Sequence, residues 1–290
     1  MSRSGAFSEI PPAARVDTNT AAGKVLAVLD AFGSEPFEFS LTELASRSQV
    51  SKPTAYRILA ALETWGGVRR TPSGRYRLGI KFFELGGLVA EGHRLRDLAL
   101  PYMEDLLVAT QGIVHLAKLE GADVLVLDRL VSHRLTKAPS RVAGRAPATC
   151  TSIGKAILAF SPTEVVKAVL DVGFSAQTPY SITNRRLFAQ TLTKIRRDGV
   201  AFDQEELIVG LVCVGAPIFD HRGAVVAGMS VSGPATQWSL ESLVPAVKTA
   251  SMGVSRTLGY RHPELPSSSL ARQGGNPELG ARRVALGNPA

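Results

Sequence analysis

The sequence predicts an α+β chain in three parts: an N-terminal winged helix-turn-helix, a helical linker and a C-terminal domain built on a largely antiparallel sheet. Three observations predict it. Three short apolar-striped segments and a basic hairpin crowd into residues 20–80. A helical stretch follows over residues 81–111. Strand-like runs then arrive in pairs around turns, with helices between the pairs, unlike the strict alternation of a parallel sheet.

The first helix starts at Ala21. Val25, Leu29 and Phe32 fall at i, i+4 and i+7, Leu26 and Val28 widen the stripe, and Gly33 and Pro36 end it. Ser40-Leu41-Thr42-Glu43 is a capping box, so a second helix starts at Leu41 and turns Leu41, Leu44 and Ala45 inward. Arg47-Ser48-Gln49-Val50 is a polar turn with one apolar plug. A third helix starts at Ser51, a suitable N-cap, with Pro53 in the first turn where amides lack partners anyway. Ala55, Ile58, Leu59, Leu62 and Trp65 form its buried stripe, and Gly66-Gly67 stops it. Val68–Thr71 and Arg75–Leu78 alternate around Pro72-Ser73-Gly74 and read as a hairpin. Val68, Tyr76 and Leu78 can face inward, Arg75 and Arg77 outward.

In the linker, Phe82, Phe83, Leu85, Leu88 and Val89 suit a buried helix or a dimer seam. Pro101 is expected to start a second helix, with Met103, Leu106 and Leu107 on its apolar side. Beyond it, Ile113–Leu119 and Asp123–Leu130 form a hairpin over Glu120-Gly121-Ala122, and a third strand is expected near Arg134–Lys137. Helices are expected over Thr151–Phe160, Pro162–Val172 and Asn184–Arg197. Val212–Phe219 and Ala224–Ser232 make another hairpin, and Leu240–Leu258 closes a domain spanning residues 112–262. The polar ends, residues 1–19 and 263–290, read as a flexible arm and a disordered tail.

Composition narrows the function. Of 290 residues, 45% are apolar and 20% charged, an ordinary globular balance. The longest nearly uninterrupted apolar stretch, Ile208–Phe219, is too short for a membrane span of roughly 20 residues. The N-terminus lacks the apolar core of a signal peptide, so a cytoplasmic protein without a membrane partner is expected. Cys150 and Cys213 cannot make a disulfide framework. His93, His115, His133, His221 and His262 do not pair with Cys or Asp at ligand spacing, so neither a metal nor a cofactor is expected. No nucleophile elbow and no glycine-rich phosphate loop occurs.

The net charge is +8. From Ser51 to Arg77 the bases are Lys52, Arg57, Arg69, Arg70, Arg75 and Arg77, against the single acid Glu63, a local net of +5. Bases at the start of a third helix and on a hairpin suit double-stranded operator DNA: the helix enters the major groove and the flanking bases take phosphates. Ser51, Lys52, Thr54, Tyr56 and Arg57 are the candidates on the helix, with Arg57 suited to guanine O6 and N7. Arg75 and Arg77 are the candidates on the wing. In the second half, Thr151-Ser152-Ile153-Gly154 opens a helix whose free amides favour a carboxylate. Ser152 adds a hydroxyl, and Gly154 permits close approach.

Leu41-Thr42-Glu43-Leu44-Ala45, Ser51-Lys52-Pro53-Thr54-Ala55-Tyr56-Arg57-Ile58-Leu59 and Gly74-Arg75-Tyr76-Arg77-Leu78-Gly79 closely resemble the DNA-binding domain of IclR-type bacterial transcriptional regulators. The resemblance continues through Gly154-Lys155-Ala156-Ile157-Leu158-Ala159, Asp203-Gln204-Glu205-Glu206, Gly210, Cys213, Ala216-Pro217-Ile218-Phe219 and Ser230-Val231-Ser232-Gly233-Pro234. It covers roughly residues 20–260. It implies a GAF-like effector domain, a dimer or tetramer, and a small organic, carboxylate-like effector touched by the Ser152 and Ile153 loop and by Asp203, Cys213, Ser230 and Ser232. Two departures stand out. Thr149 occupies a position where many relatives carry His, which removes an imidazole from the pocket. Gly67 replaces an apolar residue, which should loosen the entry to the wing. The resemblance implies a regulator and no enzyme. The alternatives are an adaptor using the helix trio, or an enzyme on the GAF-like domain with Cys213 as its reactive group.

Overall fold

The structure, a computed structural model, describes residues 17–33, 37–133 and 140–261. The expected tail, nearly all of the expected arm and the strand expected near Arg134–Lys137 lie outside the described residues.

Three helices open the chain: α1 (Ala21–Asp30), α2 (Leu41–Ser48) and α3 (Lys52–Trp65). The capping box forms as the sequence predicts. The Glu43 amide donates to Ser40 Oγ at 3.2 Å, and the Ser40 amide to Glu43 Oε2 at 2.6 Å. Gln49 ends α2 in the left-handed region, φ 57°, and Val50 plugs the core behind it. Ser51 sits at the N-cap of α3, but its hydroxyl donates to Thr54 Oγ1 instead of capping an amide. Val28, Phe32, Phe39, Leu44, Ala55, Leu59, Leu62, Val68 and Tyr76 form the domain's core. Leu26, Trp65 and Leu78, expected inside, are exposed. Trp65 packs edge-on against Phe82, just beyond the wing, with ring centroids 5.6 Å apart.

Two strands, β1 (Val68–Arg70) and β2 (Tyr76–Leu78), form the wing in antiparallel register, with Arg69 opposite Arg77. Gly67 does not loosen its entry. The Gly67 amide bonds Leu62 O and its carbonyl accepts from Gly79, and the Trp65 indole lies where a Cβ on Gly67 would stand.

The linker holds α4 (Lys81–Gly86) and α5 (Ala90–Thr110). Pro101 does not start a helix; it lies inside α5. Phe83, Leu85, Leu88 and Val89 are exposed in the single chain, Phe83 and Leu88 each by 79%.

The second domain is a six-stranded antiparallel sheet in the order β5-β4-β3-β8-β7-β6. Its strands are β3 (Ile113–Glu120), β4 (Asp123–Val131), β5 (Arg145–Pro147), β6 (Ala201–Gln204), β7 (Leu211–Phe219) and β8 (Val225–Pro234). Helices α6 (Ser152–Phe160), α7 (Thr163–Val172), α8 (Arg185–Asp198) and α9 (Leu240–Thr257) complete it. Among the described strands the sequence misses the short edge strands β5 and β6. Three or four residues carry too little alternation to be seen.

Alternate residues of each strand face opposite ways. Val114, Leu116, Val214, Ile218, Met229 and Val231 pack on α5 and α9. On the other face, α6 and α8 cover Ala117, Ala201 and their neighbours. The N-terminus of α6 comes down onto this second face because glycines stand beneath it. A Cβ on Gly215 would lie 2.9 Å from the Ile153 amide nitrogen, and one on Gly228 would lie 3.0 Å from Ile153 Cγ2. Gly154 is in similar contact: its Cβ would meet the Ala148 carbonyl oxygen at 2.2 Å. Its smallness therefore serves the approach of the preceding turn to α6. Gly154→Ala should cost about 1–3 kcal/mol through overpacking, read as a lowered urea midpoint with an unchanged slope.

Candidate functional sites: a basic helix face and a sheet pocket

Lys52, Tyr56 and Arg57 are exposed near the start of α3, beside half-buried Thr54 and exposed Ser51. Ala55, Leu59 and Leu62, spaced three and four residues apart, form the buried side of α3, and Lys52, Tyr56 and Arg57 lie outside that stripe. A groove between α1 and α3 is lined by Lys24, Thr54 and Arg57. Lys24 went unnoticed in the sequence because it lies more than 25 positions before the basic cluster. Arg69, Arg70 and Arg77 are exposed on the wing.

Arg75 does not point away from the protein as expected. Its Nη2 donates to Glu38 O at 3.0 Å and to Glu43 Oε2 at 2.8 Å. It ties the wing to the capping box of α2. The Ser40 amide, the Ser40 hydroxyl and the Arg75 charge together hold the Glu43 carboxyl below the usual carboxylate range.

The second site is a pocket between the sheet and the N-terminus of α6. It encloses about 470 Å³ of non-atom space, the open solvent at its mouth included. Sheet register explains its wall. Asp203 pairs with Cys213, Cys213 with Ser232 and Ser232 with Ile113, across β6, β7, β8 and β3. One step along, Ser230 pairs with His115. Directly opposed residues share a face, so these side chains form one polar patch. Ser152, Ile153, Asp203, Cys213, Ser230 and Ser232 all line the pocket. Of the residues expected there, only Gly154 is not among its lining; its amide donates to Thr151 Oγ1 at 3.0 Å. That cap leaves the first amides of α6, those of Ser152 and Ile153, outside the helix's own hydrogen bonds.

The sequence reading missed Thr151, His115 and Ser140. Thr149 is buried and carries no imidazole, as noted, but His115 brings one into the pocket from β3. His115 Nε2 lies 2.6 Å from Ser140 Oγ. Alternation along β3 would place His115 on the pocket face, but only the pairing of β3 with β8 reveals that face.

Asp203 is 1% exposed. Its Oδ1 accepts from the Glu206 amide at 2.8 Å and, more weakly, from the Leu207 amide at 3.4 Å. Its Oδ2 accepts from Cys213 Sγ at 3.5 Å. Behind it Lys155, also 1% exposed, pairs with Glu206 Oε1. Glu206 Oε2 has no hydrogen-bond partner among the described residues. Burial pushes the Asp203 carboxyl up to about 6, with Glu206 adding to the rise and Lys155 opposing it. Burial, helped by the Arg129 charge, pulls His115 down to about 4. Burial first, and then Asp203, raise the Cys213 thiol well above its ordinary value. A thiol so held stays protonated, which is the opposite of an activated nucleophile. No group of three or more His, Cys, Asp or Glu suited to a metal occurs among the described residues.

Residues 21–72 match the IclR helix-turn-helix domain, and residues 88–256 match the bacterial transcriptional regulator IclR C-terminal domain. The chain belongs to the IclR family of transcriptional regulators. The HTH-type transcriptional regulator KdgR of Escherichia coli is 34% identical over 82% of this chain and 92% of its own. The IclR structure from Thermotoga maritima, 34% identical, superposes with a TM-score of 0.69 over 82% of this chain and 98% of its own. An IclR homologue from Microbacterium hydrocarbonoxydans, complexed with 4-hydroxybenzoate, is 28% identical with a TM-score of 0.76 over 81% of this chain and 97% of its own. This IclR-family chain is thus a DNA-binding transcriptional regulator. Among the described residues no helix is long and apolar enough to cross a membrane.

The two shifted groups act oppositely on stability. His115 titrates lower in the folded chain than the ordinary 6.5, so its contribution is present at neutral pH and lost as pH falls from 6.5 to about 4. Asp203 titrates above the ordinary 3.8, so stability is lost as pH rises from 3.8 to about 6. Each effect is worth about 3 kcal/mol across its window. Urea denaturation from acid to neutral pH should therefore show His115→Gln failing to make its share of the gain. Asp203→Asn should fail to make its share of the loss.

Proposed function

We propose that the chain binds a two-fold-symmetric operator as a dimer, or a pair of dimers, and that a small organic acid in the sheet pocket sets its affinity for that operator. The observation that carries the acid is the α6 N-terminus, whose Ser152 and Ile153 line the pocket together with Asp203, Cys213, Ser230 and Ser232. Free amides at a helix start and a positive dipole end favour an anion. The 4-hydroxybenzoate bound by a homologue of similar fold supports the same class.

In this reading Arg57 reads a base edge, while Ser51, Lys52, Thr54 and Tyr56 meet phosphate or a thymine methyl. Arg77 takes a wing phosphate. Arg75, bonded to Glu43, acts mainly by holding the wing in place. The exposed run of Phe83, Leu85, Leu88 and Val89 is the dimer seam. Regulation requires the acid to bind the DNA-competent and incompetent arrangements unequally.

The test is a titration of labelled fragments from upstream of the coding sequence, with a scrambled fragment beside them, at one salt of about 0.15 M. A preference of about 10³-fold or more is expected for the operator, and 4-hydroxybenzoate or a related acid should shift it. Equal affinity for every genomic fragment, with or without acids, would overturn the reading in favour of an adaptor. Arg57→Ala should cost about 1–3 kcal/mol on the operator and relax one base position. Arg77→Ala should lower the salt slope by about one. Arg75→Ala should weaken operator and random DNA alike and leave that slope nearly unchanged.

A further inference from the structure

We propose that an acid entering the sheet pocket brings a proton with it from solvent, that Asp203 takes this proton, and that the effector is held as a carboxylate hydrogen-bonded to a neutral carboxylic acid. The proposal rests on the acid-effector reading above and says how the site of that reading tolerates a second negative charge.

The charges around the pocket limit what it can hold. Among the described residues Lys155 is the one cation in the buried cluster, and it already pairs with Glu206. Asp203 sits beside that pair with its second oxygen turned to Cys213 and the pocket. Among the described residues lining the pocket there is no Lys and no Arg. The groups facing Asp203 are Lys155 from α6, Glu206 from the segment after β6, Cys213 from β7 and Ser232 from β8. His115 on β3 has Arg129 of β4 opposite it in register and is neutral near pH 7. Two carboxylates thus share one ammonium before any ligand arrives. A third carboxylate brought in ionised would leave two uncompensated negative charges in a dry site, which is costly. A proton on Asp203 removes one of them and turns an acceptor into a donor aimed at the pocket. The step forms one O–H bond on Asp203 at the expense of a hydronium or buffer acid in solvent, and breaks no bond of the effector. The same cluster explains why Asp203 is the group that takes it. Glu206 holds the Lys155 ammonium, whereas Asp203 holds neutral amides and a thiol.

The consequence is a linkage between pH and affinity. Asp203 in the empty pocket titrates at about 6, and the bound carboxylate raises it further. Below about pH 6 the proton is already present and affinity is level. Above it, each pH unit should weaken binding by up to tenfold.

The experiment is calorimetry of the full chain with 4-hydroxybenzoate, benzoate and 2-oxobutyrate from about pH 5.5 to about pH 8.5, each in two buffers of different ionisation heat. For any acid that binds, the expected result is a Kd that climbs above pH 6, with a buffer-dependent heat matching the uptake of up to one proton. Asp203→Asn should bind the same acid with a flat profile and no buffer dependence. The buffer comparison on the parent chain needs no variant, so a misfolded Asp203→Asn leaves the test intact. A flat profile and buffer-independent heat in the parent would overturn the proposal, because another cation would then be meeting the acid. Full proton uptake retained by a folded Asp203→Asn would overturn the assignment to Asp203. If none of the acids binds even at pH 5.5 while neutral 4-hydroxybenzamide does, the acid reading itself falls, and the proposal with it.

Discussion

The close approach of α6 to the sheet is the constraint on which the second domain depends. Two glycines on two strands permit it, Gly215 on β7 and Gly228 on β8, while Gly154 in α6 lets the preceding turn close onto the helix. A methyl at Gly215 or Gly154 would stand against backbone, which cannot move aside without moving the whole element. The price of that approach is the burial of Lys155, and Glu206 offsets it across 51 positions of chain. Buried ion pairs of this kind often add little net stability, but breaking one leaves an uncompensated charge. The pair therefore fixes one position of the helix more than it strengthens the fold.

Once α6 is seated, the pocket and the linker lie on opposite faces of the same strands. His115 faces the pocket, and Leu116 beside it packs toward α5. Asp128, which pairs with Leu116, receives Arg96 of α5 at 2.6 Å. Tyr102 of α5 donates or accepts a hydrogen bond with Thr257 of α9 at 2.8 Å and lies against Gly253. The pocket face and the linker face of β3 are therefore one residue apart. Packed interiors transmit shifts because they compress poorly. The pocket lining and the linker helix are thus joined through single residues of β3 and β4, although α5 itself supplies no residue of the pocket lining.

The DNA-binding half is governed by local chemistry. The capping box sets where α2 begins, Gln49 in the left-handed region turns the chain, and the Gly66-Gly67 pair ends α3. Arg75 then uses the capping-box glutamate a second time, as an anchor for the wing. One carboxylate thereby orients two elements, which is why the wing needs only two three-residue strands.

Much was legible in the sequence, and the reason is the range of the forces involved. The capping box, the helix stops and the alternating runs of β3, β4, β7 and β8 act over a few neighbouring residues, so pattern reveals them. The IclR-type motifs named six residues that the pocket does gather, from Ser152 to Ser232. What stayed hidden depended on partners distant in the chain. Leu26, Trp65 and Leu78 carry apolar side chains, yet the core closed without them. Arg75 carries a charge like Arg77, yet only the position of Glu43 decides which one turns inward. His115 enters the pocket because β3 pairs with β8, and Asp203 is raised because folding packs it beside Glu206 in a dry interior. Local sequence determined the elements and their order. Tertiary structure alone decided which faces meet and which charges lose their water, because burial is a property of the assembled sheet and of no single segment.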